Sequence, residues 1–132
     1  MSSAKGVKPL KVVCTGFGGT ETTQAISGCT GGPAGLVSGT STPLTTTGSG
    51  GTASVLWNDG KTSIETFGFT LKLGTTDKCA PPAGLTNIAE AKEKGVVSGY
   101  TETSLIGGKV QSTVCVFSDL SLTSFHGKPV KF

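Results

Sequence analysis

Eight carboxylates, one histidine and four cysteines carry the side-chain chemistry available to this chain. The acids are Glu21, Asp59, Glu65, Asp77, Glu90, Glu93, Glu102 and Asp119. Glycoside chemistry would need two of them facing each other across a substrate. Spacing selects no pair: Glu90 and Glu93 suit the surface of a short helix, and Asp59 suits a turn. His126 is the only histidine, so a Ser/His/Asp nucleophile would depend on it. It adjoins Gly127 near the C-terminus, and no G-x-S-x-G elbow occurs. No catalytic residue is assigned, and the chain reads as a non-enzyme.

Cofactor and metal signatures are equally absent from the sequence. The cysteines form no C-x-x-C pair, and His126 cannot complete a zinc-finger spacing with them. There is no D-x-D-x-D-G calcium loop, and the glycine-rich stretch 30–51 lacks the Gly-Lys-Ser/Thr ending of a phosphate loop. Cys14, Cys29, Cys79 and Cys115 instead suggest two disulfides formed in an oxidising compartment. Three connectivities are open, of which the sequence-local set, Cys14–Cys29 with Cys79–Cys115, is favoured. Loops of about 16 and 37 residues would then contribute roughly 3 and 4 kcal/mol on a chain-entropy model.

Binding is the better-supported class. Trp57 and Tyr100, with Phe17 and Phe125, would form an aromatic platform for a sugar or peptide if their rings were exposed; packing in the core is the competing reading for Trp57. Exposed aromatics on one face would favour a binding module, a closed apolar cavity a small-molecule carrier, and a buried carboxylate pair an enzyme. The net charge is +3, and all eleven cations are scattered lysines. Nucleic-acid readers use arginine forks on clustered basic faces, so nucleic acid is not an expected partner. Cell-wall glycan, another protein or a small apolar ligand remain the candidates. No apolar run approaches the length of a membrane span.

These residues must be positioned by strands. Thr52 to Leu73 holds two β-prone runs around Asn58-Asp59-Gly60, a strong hairpin signal. Phe67, Phe69, Leu71 and Leu73 alternate on one face. Glu65 shares their parity and Ile64 does not, which suggests a bulge near Thr66 that flips the facing. Residues 7–14 and 22–27 read as strands, as do short pieces near Leu36 and Leu44. Asn87-Ile88-Ala89-Glu90 resembles a capping box, with Glu90 and Lys94 at i,i+4 and Gly95 at the C-terminal cap, predicting a short helix over 88–94. Segments 95–106 and 109–117 form a strand pair across Gly107-Gly108, with Val110, Ser112, Val114 and Val116 on one face. A last strand runs near 120–125. Seven to nine short strands with regular turns predict an all-β, antiparallel, immunoglobulin-like sandwich. It forms a single domain over 7–132, preceded by a flexible arm at 1–6. Met1-Ser2-Ser3-Ala4-Lys5 has no apolar leader core, so the start reads as a mature boundary from which a signal peptide has been removed.

The order of features also resembles a known group. Cys14 near the end of a first strand is followed by Trp57-Asn58-Asp59-Gly60-Lys61-Thr62-Ser63, a loop cysteine at Cys79, a Gly-Val-Val-x-Gly strand opening at Gly95, and Cys115 in the penultimate strand. This resembles small secreted two-disulfide β-sandwich proteins of actinobacteria, a group of unknown function. A looser likeness is to the apoproteins of actinomycete enediyne antibiotics, whose disulfides close shorter loops. The resemblance implies an extracellular β-sandwich and transfers no functional residue. The expected function is a non-catalytic secreted or envelope-associated binding or structural module. The alternatives are a carrier of small apolar ligands with a pocket at one end of the sandwich, and a protease-inhibitor-like protein using the loop at 75–82.

Overall fold

A computed structural model describes residues 9–47, 49–76, 78–124 and 129–132, the side chains of Tyr100 and Ser124 excepted. The expected arm at 1–6 lies outside the described residues, as do Asp77, Phe125 and His126. The described chain is all-β and antiparallel, with one 3₁₀ turn at Thr103–Leu105 as its helical content. Its strands are β1 (Val13–Gly19), β2 (Gln24–Thr30), β3 (Gly39–Thr46), β4 (Gly50–Trp57), β5 (Thr62–Leu73), β6 (Asn87–Tyr100), β7 (Lys109–Phe117), β8 (Leu122–Ser124) and β9 (Val130–Lys131).

Antiparallel pairing and the strand count match the sequence reading, whereas the sandwich does not. Each strand from β1 to β7 pairs with the next in sequence. β8 pairs β1 near Gly18 and Gly19, and β9 pairs β1 near Val13 and Cys14, so the two short strands act as one stave between β7 and β1. The sheet therefore closes into an eight-stave barrel in meander order. Closure removes both free edges, which two separate sheets would leave open. Outward positions such as Thr40, Thr42, Thr66, Thr70, Lys92 and Lys94 are exposed. They share the outer surface with the exposed Leu56 and Val96. No helix among the described residues is long and apolar enough to cross a membrane.

The helix expected over 88–94 is a strand. Ala89, Ala91 and Val97 are buried on one face while Lys92, Lys94 and Val96 are exposed on the other, which is a period of two. β6 gains ladders to both β5 and β7, and a lone seven-residue helix offers nothing comparable. Asn87 does not cap a helix. Its buried amide donates to the Ala89 and Val116 carbonyls and accepts from the Thr76 N–H, pinning a bulge where Ile88 is the extra residue. Glu90 meets Lys72 across the β5–β6 ladder at 4.0 Å instead of pairing along a helix.

β5 is also simpler than expected. Ser63, Glu65 and Phe67 all face inward, and the bulge opposite lies in β6 at Ser98, between the pairs Ile64–Gly99 and Glu65–Val97. An extra residue in the neighbour leaves the parity of β5 intact.

One end of the barrel is closed by a packed core of Val12, Cys14, Ile26, Leu36, Trp57 and Phe132 with their neighbours. The segment 31–38 is drawn across this end by Asn58, which accepts from the Val37 and Ser38 N–H groups and donates to the Gly35 carbonyl. Cys14 and Cys29 are directly opposed on β1 and β2 and form a disulfide inside this core. The second disulfide, Cys79–Cys115, fastens the 74–86 connection to the outer face of β7, where Phe117 and Leu85 complete a small satellite core.

Candidate functional site in the barrel interior

The other half of the barrel is hollow. A cavity of about 260 Å³ lies above the packed end, floored in part by Ala53, Val110, Val130 and Phe132. Its walls follow the strand alternation: Phe67, Phe69 and Leu71 from β5, Ala91 from β6, and Val114 and Val116 from β7. Glu21, Thr46, Leu71 and Leu120 line it and are exposed, so it opens where the β1–β2, β3–β4 and β7–β8 turns lie.

Two acids project into this apolar space, Glu65 from β5 and Glu93 from β6. Glu65 is 6% exposed, and its Oε2 has no hydrogen-bond partner. Burial, reinforced by the charge of Glu93, pushes its carboxyl up to about 8. Burial also raises Glu93, against which the hydroxyl of Ser112 supplies an opposing hydrogen bond. In register, Glu65 lies opposite Val97 and Glu93 opposite Phe69, with the Phe67–Gly95 row between them. None of the described lining residues is a lysine. No group of three or more metal-ligating side chains occurs among the described residues.

A second acidic pair lies at the closed end. Glu102 is buried and accepts from the Ser104 hydroxyl at 2.8 Å, while its Oε2 is unpartnered. Burial raises its carboxyl and the neighbouring Asp59 adds to the effect. Its backbone N–H is bonded to Thr62, so it anchors the 101–108 turn to the hairpin. It does not line the cavity.

The aromatic platform is not formed by Trp57. That ring is 1% exposed, donates from Nε1 to the Ser63 hydroxyl at 2.8 Å, and meets Phe132 edge-on at 5.3 Å. Tyr100 ends β6 opposite Ser63, and its side chain lies outside what is described. Phe17 is half-buried and lines the cavity.

Sequence reasoning passed over Glu65 and Glu93. The signal was present for Glu65, whose parity matched Phe67, Phe69 and Leu71. Glu93 was masked by the helical reading of β6; read as a strand, its parity with Ala89, Ala91 and Val97 turns it inward.

Fold and site define a class: a closed antiparallel meander barrel enclosing an apolar cavity with two acids on its wall. Compared with protein-family models, curated proteins and solved structures, the chain finds no match.

Proposed function

We propose that the chain is a non-catalytic carrier that binds a small, largely apolar molecule inside the barrel. The observation that carries this reading is the open-ended cavity of about 260 Å³, lined by Phe67, Phe69, Val114 and Val116. Eight-stave barrels are just wide enough to hold one small ligand, and the mouths of barrels are common ligand sites. Two disulfides support an oxidising, extracellular setting. The carrier reading now takes precedence over a surface aromatic platform, because Trp57 is committed to the core.

A second reading, acid–base catalysis, draws on the raised carboxyl of Glu65 beside Glu93. Perturbed acids in clefts are functional-site candidates. Against it stands a small, largely apolar cavity whose described polar lining beyond the acids is Gln24, Ser41, Thr46 and Ser112.

The test is isotope-edited NMR of valine and leucine methyls with ethylbenzene as the probe. Saturable shifts confined to the cavity-lining Leu71, Val110, Val114, Val116, Leu120, Leu122 and Val130, with a raised urea midpoint, are expected. Unmoved cavity methyls at saturating ethylbenzene would sink the carrier reading.

A further inference from the structure

We propose that the molecule carried is an organic amine, its ammonium group held by the carboxyls of Glu65 and Glu93 and its apolar body lying among Phe67, Phe69 and Val114. This rests on the carrier reading and adds the chemistry of the occupant.

The unpartnered Oε2 of Glu65 is the first ground. It is buried and belongs to a side chain that lines the cavity. Interiors rarely keep such an atom unpaired without a use for it. The second ground is the electrostatic character of the wall. Besides Glu65 and Glu93, the polar lining groups are Glu21 at the mouth and the neutral Gln24, Ser41, Thr46 and Ser112. No described lining residue is a cation, so an anionic ligand would find no counter-charge.

The third ground is geometry. The two acids stand on either side of the Phe67–Gly95 row, where Gly95 contributes no side chain. An ammonium has three donors and no acceptor, so one lying over this row has an acid on either side of it. The faces of Phe67 and Phe69 suit a cation as well. A neutral alcohol has a single donor, so it can serve only one of the two carboxyls.

With the cavity empty, burial holds Glu65 protonated at pH 7. An arriving ammonium favours the ionised form, so binding should displace a proton to solvent. At the ~30 Å³ that a water occupies, the cavity has room for about nine non-hydrogen atoms. 2-Phenylethylamine is of that size.

The experiment is calorimetric titration of the oxidised full chain at pH 7 with 2-phenylethylamine, 2-phenylethanol and phenylacetate, in two buffers of different ionisation heat. The amine should bind one to one, at least tenfold tighter than the alcohol, releasing about one proton, while phenylacetate should not bind. Amine affinity should weaken about tenfold per pH unit below pH 7.5. Glu65→Gln should bind amine and alcohol alike and release no proton. If Trp57 emission shows that variant unfolded, Glu93→Gln serves, with the amine preference reduced. Equal binding of amine and alcohol by the native chain overturns the amine assignment and leaves the carrier reading standing. Binding of none of the three overturns both.

Discussion

Leu120 occupies in its turn the place that Gly60 takes in the tryptophan hairpin. In each turn the third residue after the strand end donates back to that end: Gly60 to Trp57 and Leu120 to Phe117, at 2.9 and 2.8 Å. Asp59 and Asp119 each accept from the N–H two residues on, both at 2.9 Å. Both third residues have positive φ, 85° for Gly60 and 67° for Leu120. Glycine tolerates that conformation; leucine pays for it at the mouth of the cavity, where its side chain forms part of the lining.

Leu120→Gly should therefore be neutral or stabilising. Relief of about 1–2 kcal/mol of left-handed strain is set against about 0.5–1 kcal/mol of added chain entropy. Dissociation of 2-phenylethylamine should meanwhile accelerate. Urea melts and stopped-flow dissociation check both; destabilisation beyond about 1 kcal/mol would show that the side chain, not the turn, sets the cost.

Glu65 gives stability a dependence on pH with a definite sign. Burial pushes its carboxyl up to about 8 when folded, against an ordinary value of 4.5. The folded chain thus holds a proton that the unfolded chain has lost between those values. The stabilisation is complete below pH 4.5, declines as pH rises and is gone above about 8. The full interval corresponds to about 4–5 kcal/mol as an upper bound. Glu65→Gln should match the native chain near pH 4 and exceed it in stability at pH 8. Parallel urea-midpoint profiles for the two proteins would refute this.

Gly95 sits opposite Phe67 in the β5–β6 ladder, with the β5 backbone close against it. A methyl there would lie 2.7 Å from the Phe67 Cα and against the Thr66 carbonyl. Because backbone cannot swing aside, Gly95→Ala should cost at least ~2 kcal/mol and weaken ligand binding. A thermal melt close to the native one would show that the ladder gives more easily than its register implies.

Removing the outer disulfide should separate stability from binding. Cys79→Ala with Cys115→Ala opens a loop worth roughly 4 kcal/mol on the chain-entropy model, yet neither sulfur lines the cavity. Denaturation midpoints should fall while 2-phenylethylamine affinity in native buffer changes less than about threefold. A large loss of affinity would mean that the strap shapes the cavity wall.

Local signals were legible where local physics decides. The hairpin at Asn58-Asp59-Gly60 and the inward set Val110, Ser112, Val114 and Val116 are as the sequence suggested, and so is the favoured cysteine pairing. Residues 88–94 carry genuine helix signals, but two flanking ladders outweigh one capping box. Glu65 was misjudged because the apolar Ile64 beside it looked like the core residue, although parity spoke for the acid. Barrel closure was not legible, since it depends on β8 and β9 returning to β1 across roughly a hundred residues. No periodicity encodes that pairing.

The strap at 74–86 has a kinetic consequence. It is the longest connection at the open end among the described residues, and in many barrels such a segment would fold over a bound guest. Here Cys79–Cys115 rivets it to the outer wall. Entry then does not wait for this segment to move. Observed rates should rise linearly with ligand concentration, without the plateau of a closing step, and residence time should be governed by Leu120 and the acids below it.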